Sequence, residues 1–508
     1  MSFAVRIRKL VSETAIYGIS SIVGRLINFI LFPFYSYVFS QADYGSASLL
    51  YAAFIFLNIG YQYGMESAYL KFASVTPENR KGTFSTASFS LVITSLVFSG
   101  LILVFSESFA VLVGLPERWL SLVYFAAGIL LLDTLSIVPF AELRLSNRPW
   151  LFAAIRGANI VVNVTLNLVL ILGFGMGIEA IFIANLAASG VSLVLLIPIY
   201  FRLFRFSFDS VLWKKLLRFG LPFVPGGLGY ALAERVNILF LSRMEPETVI
   251  ERYSDIVDFS SVDPATPGVY TETIVGIFSG VTKLAVLLAL VVQMFRYAWQ
   301  PFFLNHAEDD DAPQLFGRVF TLFVASILFV FLGISFFVDD LVAINLPGDY
   351  TLINENYWVG LFVVPILMLG YVFQGLYYNF SAGAYILHKT GYFVYCALAG
   401  GTVSLLLNSL FVPEYGMTAA AWATASAYGV MALTLFLLIR KQYTVPYDWA
   451  RSCGAAVLAA ACYYCWSVFD QLQGVIPEAL LIVAYLAGIA LLGIVRPGNL
   501  INVLRSSN

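Results

Sequence analysis

The sequence predicts an all-α membrane protein of about fourteen transmembrane helices, in two six-helix lobes with two further helices at the C-terminal end. Three observations carry this prediction. Of 508 residues 60% are hydrophobic and only 11% charged, and the mean hydropathy is +0.86, too apolar for one soluble domain with a polar surface. The apolar runs are long and unbroken rather than alternating, so they satisfy their backbone as helices and not as barrel strands. Lys and Arg cluster in every second connecting loop, as in a chain that crosses a bilayer repeatedly.

A crossing helix needs roughly 20 apolar residues. Runs of that kind lie near 14–38, 46–72, 86–107, 119–142, 150–173, 179–203, 219–243, 274–302, 317–338, 357–386, 391–412, 417–439, 452–469 and 478–495. Basic residues mark one side: Arg6, Arg8 and Lys9; Lys71, Arg80 and Lys81; Arg144 and Arg148; Arg202, Arg205, Lys214, Lys215 and Arg218; then Arg318, Lys389, Arg440, Lys441, Arg451, Arg496 and Arg505. The intervening loops hold only Arg118, Arg243 and Arg252 among acids. The positive-inside rule therefore puts both termini in the cytoplasm, which requires an even number of spans. The first span is too long for a signal-peptide core and is expected to be retained.

The net charge of -2 implies no nucleic-acid partner. Cys396, Cys453, Cys462 and Cys465 lie in or beside spans. The single C-x-x-C pair there reads as packing rather than as zinc or redox chemistry. His306 and His388 are far apart, which argues against a histidine metal site, so no metal is expected.

Spans five and eleven end alike. Asn167 to Met176 reads NLVLILGFGM and Asn408 to Met417 reads NSLFVPEYGM, a shift of 241 residues that also carries Arg148 onto Lys389. Both spans run the same way, so the repeat is parallel, and it divides the chain into 1–205 (spans one to six), 206–441 (seven to twelve) and 442–508. The acidic stretch Met244 to Glu272 is expected to be a solvated outer flap, and Glu308 to Asp311 a solvated turn.

Several spans carry polar seams at helical spacing. Gly18, Ser21, Arg25 and Asn28 share a face of span one. Asn58, Gln62 and Glu66 follow in span two, Asp133 in span four, and Arg156, Asn159, Asn163 and Asn167 in span five. Span seven holds Tyr230, Glu234 and Asn237 with Arg235 adjacent, and span eight holds Ser279 and Lys283. Amides and hydroxyls in such places serve as packing glue at ~0.6 kcal/mol each. Charges cost more: a central Arg costs about 2.5 to 3.5 kcal/mol on insertion scales, so Arg25 and Lys283 are expected to face a wet cavity, and Arg156, nearer an interface, either the cavity or the cytoplasm. A salt bridge of Arg25 with Glu66 or Asp133 is the structural alternative. Glu234 and Arg235, as neighbours, are not expected to share one face. Cations in such a cavity suit an anion such as phosphate. Span seven opens GLPFVPGG, where Pro222 and Pro225 remove helix donors and predict a kink or hinge.

FSQADYG after span one, YGMESAYLKF closing span two, LPFVPGG, MFRYAWQPFFLNHAE ending span eight and the two Gly-Met turns together resemble the polysaccharide or O-antigen flippases of the multidrug, oligosaccharidyl-lipid and polysaccharide (MOP) exporter superfamily. That resemblance implies a MATE-like pair of six-helix lobes around a cavity open alternately to each side of the bacterial inner membrane. It implies an undecaprenyl-pyrophosphate-linked oligosaccharide as cargo, membrane lipids as surroundings and a polysaccharide polymerase as partner. The similar lipid II flippases carry cavity cations on their first, second and eighth helices, a role that passes here to Arg25 and Lys283. Span two departs from that pattern, with Glu66 inside and Lys71 only near its end. Asn28, Arg156 and Arg235 complete the expected substrate-facing set. No cofactor is expected beyond H+ or Na+ as coupling ion, with Glu66, Asp133 and Glu234 as candidates. A cation-coupled multidrug exporter of the same superfamily is the nearer alternative, through Glu234. A membrane glycan polymerase or ligase is the more distant one, since no outside loop contains a histidine and the chain is not expected to be an enzyme.

Overall fold

A computed structural model describes residues 29–75, 79–259, 266–348 and 350–494. In chain order the helices are α1 (Phe29–Val38), α2 (Gln41–Gln62), α3 (Met65–Val75), α4 (Arg80–Val104), α5 (Ser106–Val113), α6 (Leu120–Leu145), α7 (Pro149–Leu168), α8 (Glu179–Leu203), α9 (Ser210–Gly220), α10 (Phe223–Leu241), α11 (Pro246–Tyr253), α12 (Gly268–Asn305), α13 (Ala312–Val342), α14 (Val364–Ile386), α15 (Tyr392–Ile439), α16 (Trp449–Val468) and α17 (Val475–Leu491). A two-stranded antiparallel pair, Asn345 opposite Thr351 and Leu346 opposite Tyr350, follows α13.

Among the described residues ten helices are long and apolar enough to cross a membrane. The chain is thus a multi-pass helical membrane protein, while the expected count of fourteen is not reached by this measure. The reasons are local. Most of the first run lies outside the described residues, leaving Phe29–Val38 as a short apolar helix. Runs eleven and twelve are continuous in α15, broken in backbone only at Gly416 (φ 53, ψ -128). α16 begins with Trp and Arg451, and α17 has 17 residues. The second run is split into α2 and α3, because Tyr63 and Gly64 both take positive φ. A Cβ on Gly64 would overlap the Gly220 carbonyl, so only glycine admits that approach. The break foreseen at GLPFVPGG lies between α9 and α10, with Pro222 as the residue before α10.

Side chains on the helix ends explain where several begin. Ser40 accepts from the Asp43 N–H at 3.1 Å, Asp209 from those of Val211 and Leu212, and Asp448 from that of Arg451, while Pro149 opens α7 where a helix needs no donor.

The described residues up to Ser279 form one compact unit with Ser404–Ala420; Gly280–Val403 and the residues from Ala421 onward form the other. In the first, α6 packs on α4 and α8, and α8 on α7. Its predicted cytoplasmic end is held by Glu142, which accepts from Arg80 Nε at 3.0 Å and Nη2 at 2.8 Å and from the Tyr69 hydroxyl. At the predicted outer end α2 and α12 touch through glycine: a Cβ on Gly45 would overlap the Glu272 carbonyl, and one on Gly276 the Gln41 carbonyl. Beside that crossing Glu272, 6% exposed, accepts from Ser46 Oγ at 3.1 Å and pairs with Arg118.

Glu272 corrects the solvated-flap expectation, since it is buried, paired with Arg118 and hydrogen-bonded by Ser46, both distant in sequence. Glu245, Glu247, Glu251, Asp255 and Asp258 are exposed as expected, and Asp263 lies outside the described residues. The flap is also anchored. α11 buries Val249 and Tyr253, and the Tyr253 hydroxyl accepts the Met417 N–H at 2.9 Å where Gly416 breaks α15. Burial pushes that phenol above its usual range, so it remains a neutral hydroxyl.

In the second unit α13 packs on α14, α16 and α17, and the Tyr485 hydroxyl donates to the Ala325 carbonyl at 3.0 Å. Trp299, Phe303 and Phe316 form an aromatic cluster with Ala312 and Ala382.

The 241-residue repeat has a backbone counterpart. Asn147 (φ 52) and His388 (φ 56) occupy the same left-handed position, followed by Arg148 donating to the Leu143 carbonyl at 3.0 Å and Lys389 to that of Ala384 at 2.8 Å. Gly175 (φ 63) and Gly416 (φ 53), at the same shift, share a positive φ. Asn167 and Asn408 are both fully buried, and each turns its amide back on the carbonyl four residues earlier, at 2.9 and 2.8 Å.

Two substitutions test these constraints. Gly276→Leu is expected to destabilise the first unit by at least about 1–3 kcal/mol through overpacking, read as a lower melting temperature of the purified protein in detergent. Tyr253→Phe leaves a buried Met417 N–H without its acceptor and should cost about 1–3 kcal/mol in the same assay.

Candidate functional site

Helix α8 presents Asn185, Ser189 and Ser192 at spacings of 4 and 3, which puts them on one face. Each bonds a different neighbour. Asn185 Nδ2 donates to the Tyr51 hydroxyl of α2 at 3.1 Å, and Ser189 Oγ donates to Asp133 Oδ1 of α6 at 2.7 Å. Ser192 Oγ accepts from Asn159 Nδ2 of α7 at 3.0 Å. Tyr51 is also stacked on Phe182, with ring centroids 5.0 Å apart. The first unit therefore carries a polar wall to which four helices contribute.

Arg156 belongs to this wall. Its guanidinium lies over the Phe140 ring at 4.3 Å, on the same helix as Asn159, and acts electrostatically on Asp133 without a direct ion pair. Asp133 and Arg156 are both exposed. Asp133 is nine residues from Glu142, near the end of its run, and Arg156 is six from the start of the next, which puts them about 13 and 9 Å inside the predicted cytoplasmic boundary. Exposing a carboxylate and a guanidinium to hydrocarbon at such depth costs several kcal/mol, so their face of the unit fronts water. Amide and hydroxyl bonds such as Asn159–Ser192 are explained by helix packing alone; the two charges are not.

The other predicted site residues are distributed as follows. Arg25 and Asn28 lie outside the described residues. Lys283 is half-buried on α12, in the second unit. Glu66, in the first turn of α3, pairs with Arg144 from the last turn of α6. Glu234 and Arg235, expected to diverge, reach each other at 3.7 Å and are both half-buried. Long side chains on successive residues curl together across the ~100° that separates them. The structure thus brings together Asp133, Arg156 and Asn159.

Sequence reasoning missed Tyr51, Asn185, Ser189 and Ser192. The 4 and 3 spacing in span six was the available signal. It also passed over Arg296, whose guanidinium lies 4.8 Å from the Tyr378 ring in the second unit. Among the described residues no three of His, Cys, Asp and Glu are grouped to hold a metal ion.

Comparison with known proteins supplies the family. Residues 10–305 match the family described as polysaccharide biosynthesis protein. Among curated proteins there is no match. Among solved structures the chain is similar to the lipid II flippase MurJ in an inward closed conformation, with a TM-score of 0.69 at 14% identity over 95% of this chain and 99% of that one. It is similar also to a multidrug resistance MATE family transporter of the MOP superfamily in an inward-facing conformation (0.57, 14%, 82% and 94%) and to the MATE multidrug transporter DinF-BH in complex with R6G (0.58, 14%, 86% and 96%). At these identities the likeness is one of fold, and it agrees with the resemblance read from the sequence motifs. The chain belongs to the polysaccharide biosynthesis protein family, with the MurJ- and MATE-like fold of the MOP superfamily.

Proposed function

We propose that this protein flips a lipid-linked oligosaccharide, carried on undecaprenyl pyrophosphate, from the cytoplasmic to the outer leaflet of the bacterial inner membrane by alternating access. The observation that carries the proposal is the combination of membership in a polysaccharide biosynthesis family with a lipid-flippase fold over 95% of the chain. A glycan-synthesis chain built on a transporter fold has moving the lipid-linked intermediate as its natural task. In this reading the termini are cytoplasmic, 1–205 and 206–441 are the two lobes with 442–508 appended, and a polysaccharide polymerase receives the cargo. The protein works as a transporter and not as an enzyme.

The pyrophosphate is the recognisable part of such a cargo. Guanidinium groups bind it through paired N–H donors and an ammonium binds it as a point charge. Arg156 on its wet face supports this reading, with Arg25, Asn28, Arg235 and Lys283 as the remaining candidates. The multidrug-exporter alternative rests on Glu234, whose carboxylate is already engaged by Arg235.

In cells whose surface glycan depends on this protein, Arg25→Ala with Lys283→Ala is expected to insert at normal level and to lower surface glycan at least tenfold, measured by lectin or antibody binding. Normal display with both alanines would remove these two residues from the transport path.

A further inference from the structure

The stretch that leads from α8 through α9 to α10 interleaves aromatic and basic residues. From Phe201 to Gly220 it reads FRLFRFSFDSVLWKKLLRFG, with five cations, Arg202, Arg205, Lys214, Lys215 and Arg218, and one acid, Asp209. It is held in place along its length. The Arg205 N–H donates to Ser85 Oγ at 2.8 Å, the Asp209 N–H to Thr86 Oγ1 at 3.3 Å and Trp213 Nε1 to Ser90 Oγ at 2.9 Å, so the segment runs along the first turns of α4. Leu203 and Leu216 are buried in one cluster with Tyr69 and Phe84. The apolar run of α4 begins near residue 86, which puts the segment at the hydrocarbon boundary.

Its outward side combines positive charge with bare aromatic surface. Val211, Lys214, Lys215 and Arg218, at i, i+3, i+4 and i+7, are all exposed, so α9 turns a basic face away from the protein while Leu216 faces inward. In the stretch before α9, Phe201 is 86% and Phe206 99% exposed, and Arg202 and Arg205 are exposed beside them. Among the described residues none of the five cations has an ion pair. Arg80, Arg144 and Arg451, also predicted on the cytoplasmic side, pair with Glu142, Glu66 and Asp448. The single acid of the segment, Asp209, caps α9 by accepting from the Val211 and Leu212 N–H groups.

We propose that this segment is a binding surface for acidic phospholipids of the leaflet it borders. Phe201 and Phe206 enter the boundary between headgroups and acyl chains, and Arg202, Arg205, Lys214, Lys215 and Arg218 hold the phosphates. A bare phenyl ring is driven out of water and an unneutralised cation out of hydrocarbon, and a headgroup layer of negative charge satisfies both at once. A zwitterionic headgroup brings its own ammonium with its phosphate, so surplus positive charge on the protein selects lipids of net negative charge. A soluble acidic partner would match the cations alone, whereas the exposed rings at the hydrocarbon boundary favour lipid. Because α9 is already docked through Leu216, the surface is preformed and binding orders little chain. The surface concerns the surrounding membrane and not the cargo.

The test is local fluorescence quenching in the full-length protein. With Cys396, Cys453, Cys462 and Cys465 replaced, Phe206→Cys and, as a control on α7, Val161→Cys are labelled with bimane, an apolar ring system that stands in for the phenyl group at 206. Each is reconstituted into vesicles of about three parts phosphatidylcholine to one of phosphatidylglycerol, with bromine on the phosphatidylglycerol or on an equal amount of the phosphatidylcholine. At 206 brominated phosphatidylglycerol is expected to quench at least about twofold more than brominated phosphatidylcholine, and at 161 the two should quench alike. Lys214→Gln with Lys215→Gln and Arg218→Gln, and separately Arg202→Gln with Arg205→Gln, should each bring the ratio at 206 toward one. These sets leave the other basic loops to direct insertion. Arg202→Lys with Arg205→Lys should keep the ratio, since the attraction is to charge and not to the guanidinium fork. A ratio of one at 206 without charge substitutions, the same preference at 161 as at 206, or a ratio unchanged in both glutamine variants would overturn the proposal. Quenching by neither lipid at 206 would overturn it too, by placing Phe206 in water and leaving the basic face to a soluble acidic partner. Each of these contrary results leaves the flippase reading standing.

Discussion

A charge exposed to hydrocarbon costs several kcal/mol, and that one constraint arranges the charged residues of this protein. Near the helix ends charges are grouped with partners: Glu142 with Arg80 and Tyr69, Glu66 with Arg144, Glu272 with Arg118 and Ser46. Deeper in the first unit the pattern changes, and Asp133 and Arg156 are left exposed, the one held by Ser189 and the other over Phe140. Such an arrangement is tolerable only where water reaches it. The same constraint that closes the helix ends thus singles out the face to which we assign the proposed anionic cargo.

Backbone geometry supplies the frame. Helices α2 and α12 approach closely because Gly45 and Gly276 have no side chains, and that closeness brings Ser46 within reach of Glu272. Matching residues of positive φ, Asn147 with His388 and Gly175 with Gly416, recur at a shift of 241 residues. The two copies differ in one respect. At Met176 the backbone N–H finds the Leu170 carbonyl of its own helix, whereas at Met417 it is met by Tyr253 from the outer segment. An acidic stretch that composition describes as solvent-facing is thereby tied into the helix break.

Much of the fold was legible in the sequence, because a run of about 20 apolar residues has few alternatives to a crossing helix. Asn167, Asn408 and the two Gly-Met turns were legible for a stronger reason: a positive φ in a tight helix end favours glycine and an inward amide needs a carbonyl four residues back. The stripe of Arg156, Asn159 and Asn163 followed from spacing. Its partners did not, since Asn185, Ser189 and Ser192 are inexpensive residues on another helix and only the fold shows which neighbours they meet. Glu272 was read as solvated for the same reason, its partners Arg118 and Ser46 lying more than a hundred residues away. The split at Gly64 escaped notice because a single glycine within an apolar run seldom ends a helix.

Water access to the Arg156 face is the central claim, and thiol labelling measures it most directly. In a background with Cys396, Cys453, Cys462 and Cys465 replaced, Asn159→Cys and Val161→Cys place thiols two residues apart on α7, one on the polar stripe and one on its exposed apolar side. With a membrane-impermeant maleimide applied to open membrane fragments, the account predicts that Asn159→Cys reacts and Val161→Cys does not. Equal labelling of the two, or an inert Asn159→Cys in a folded protein, would contradict it.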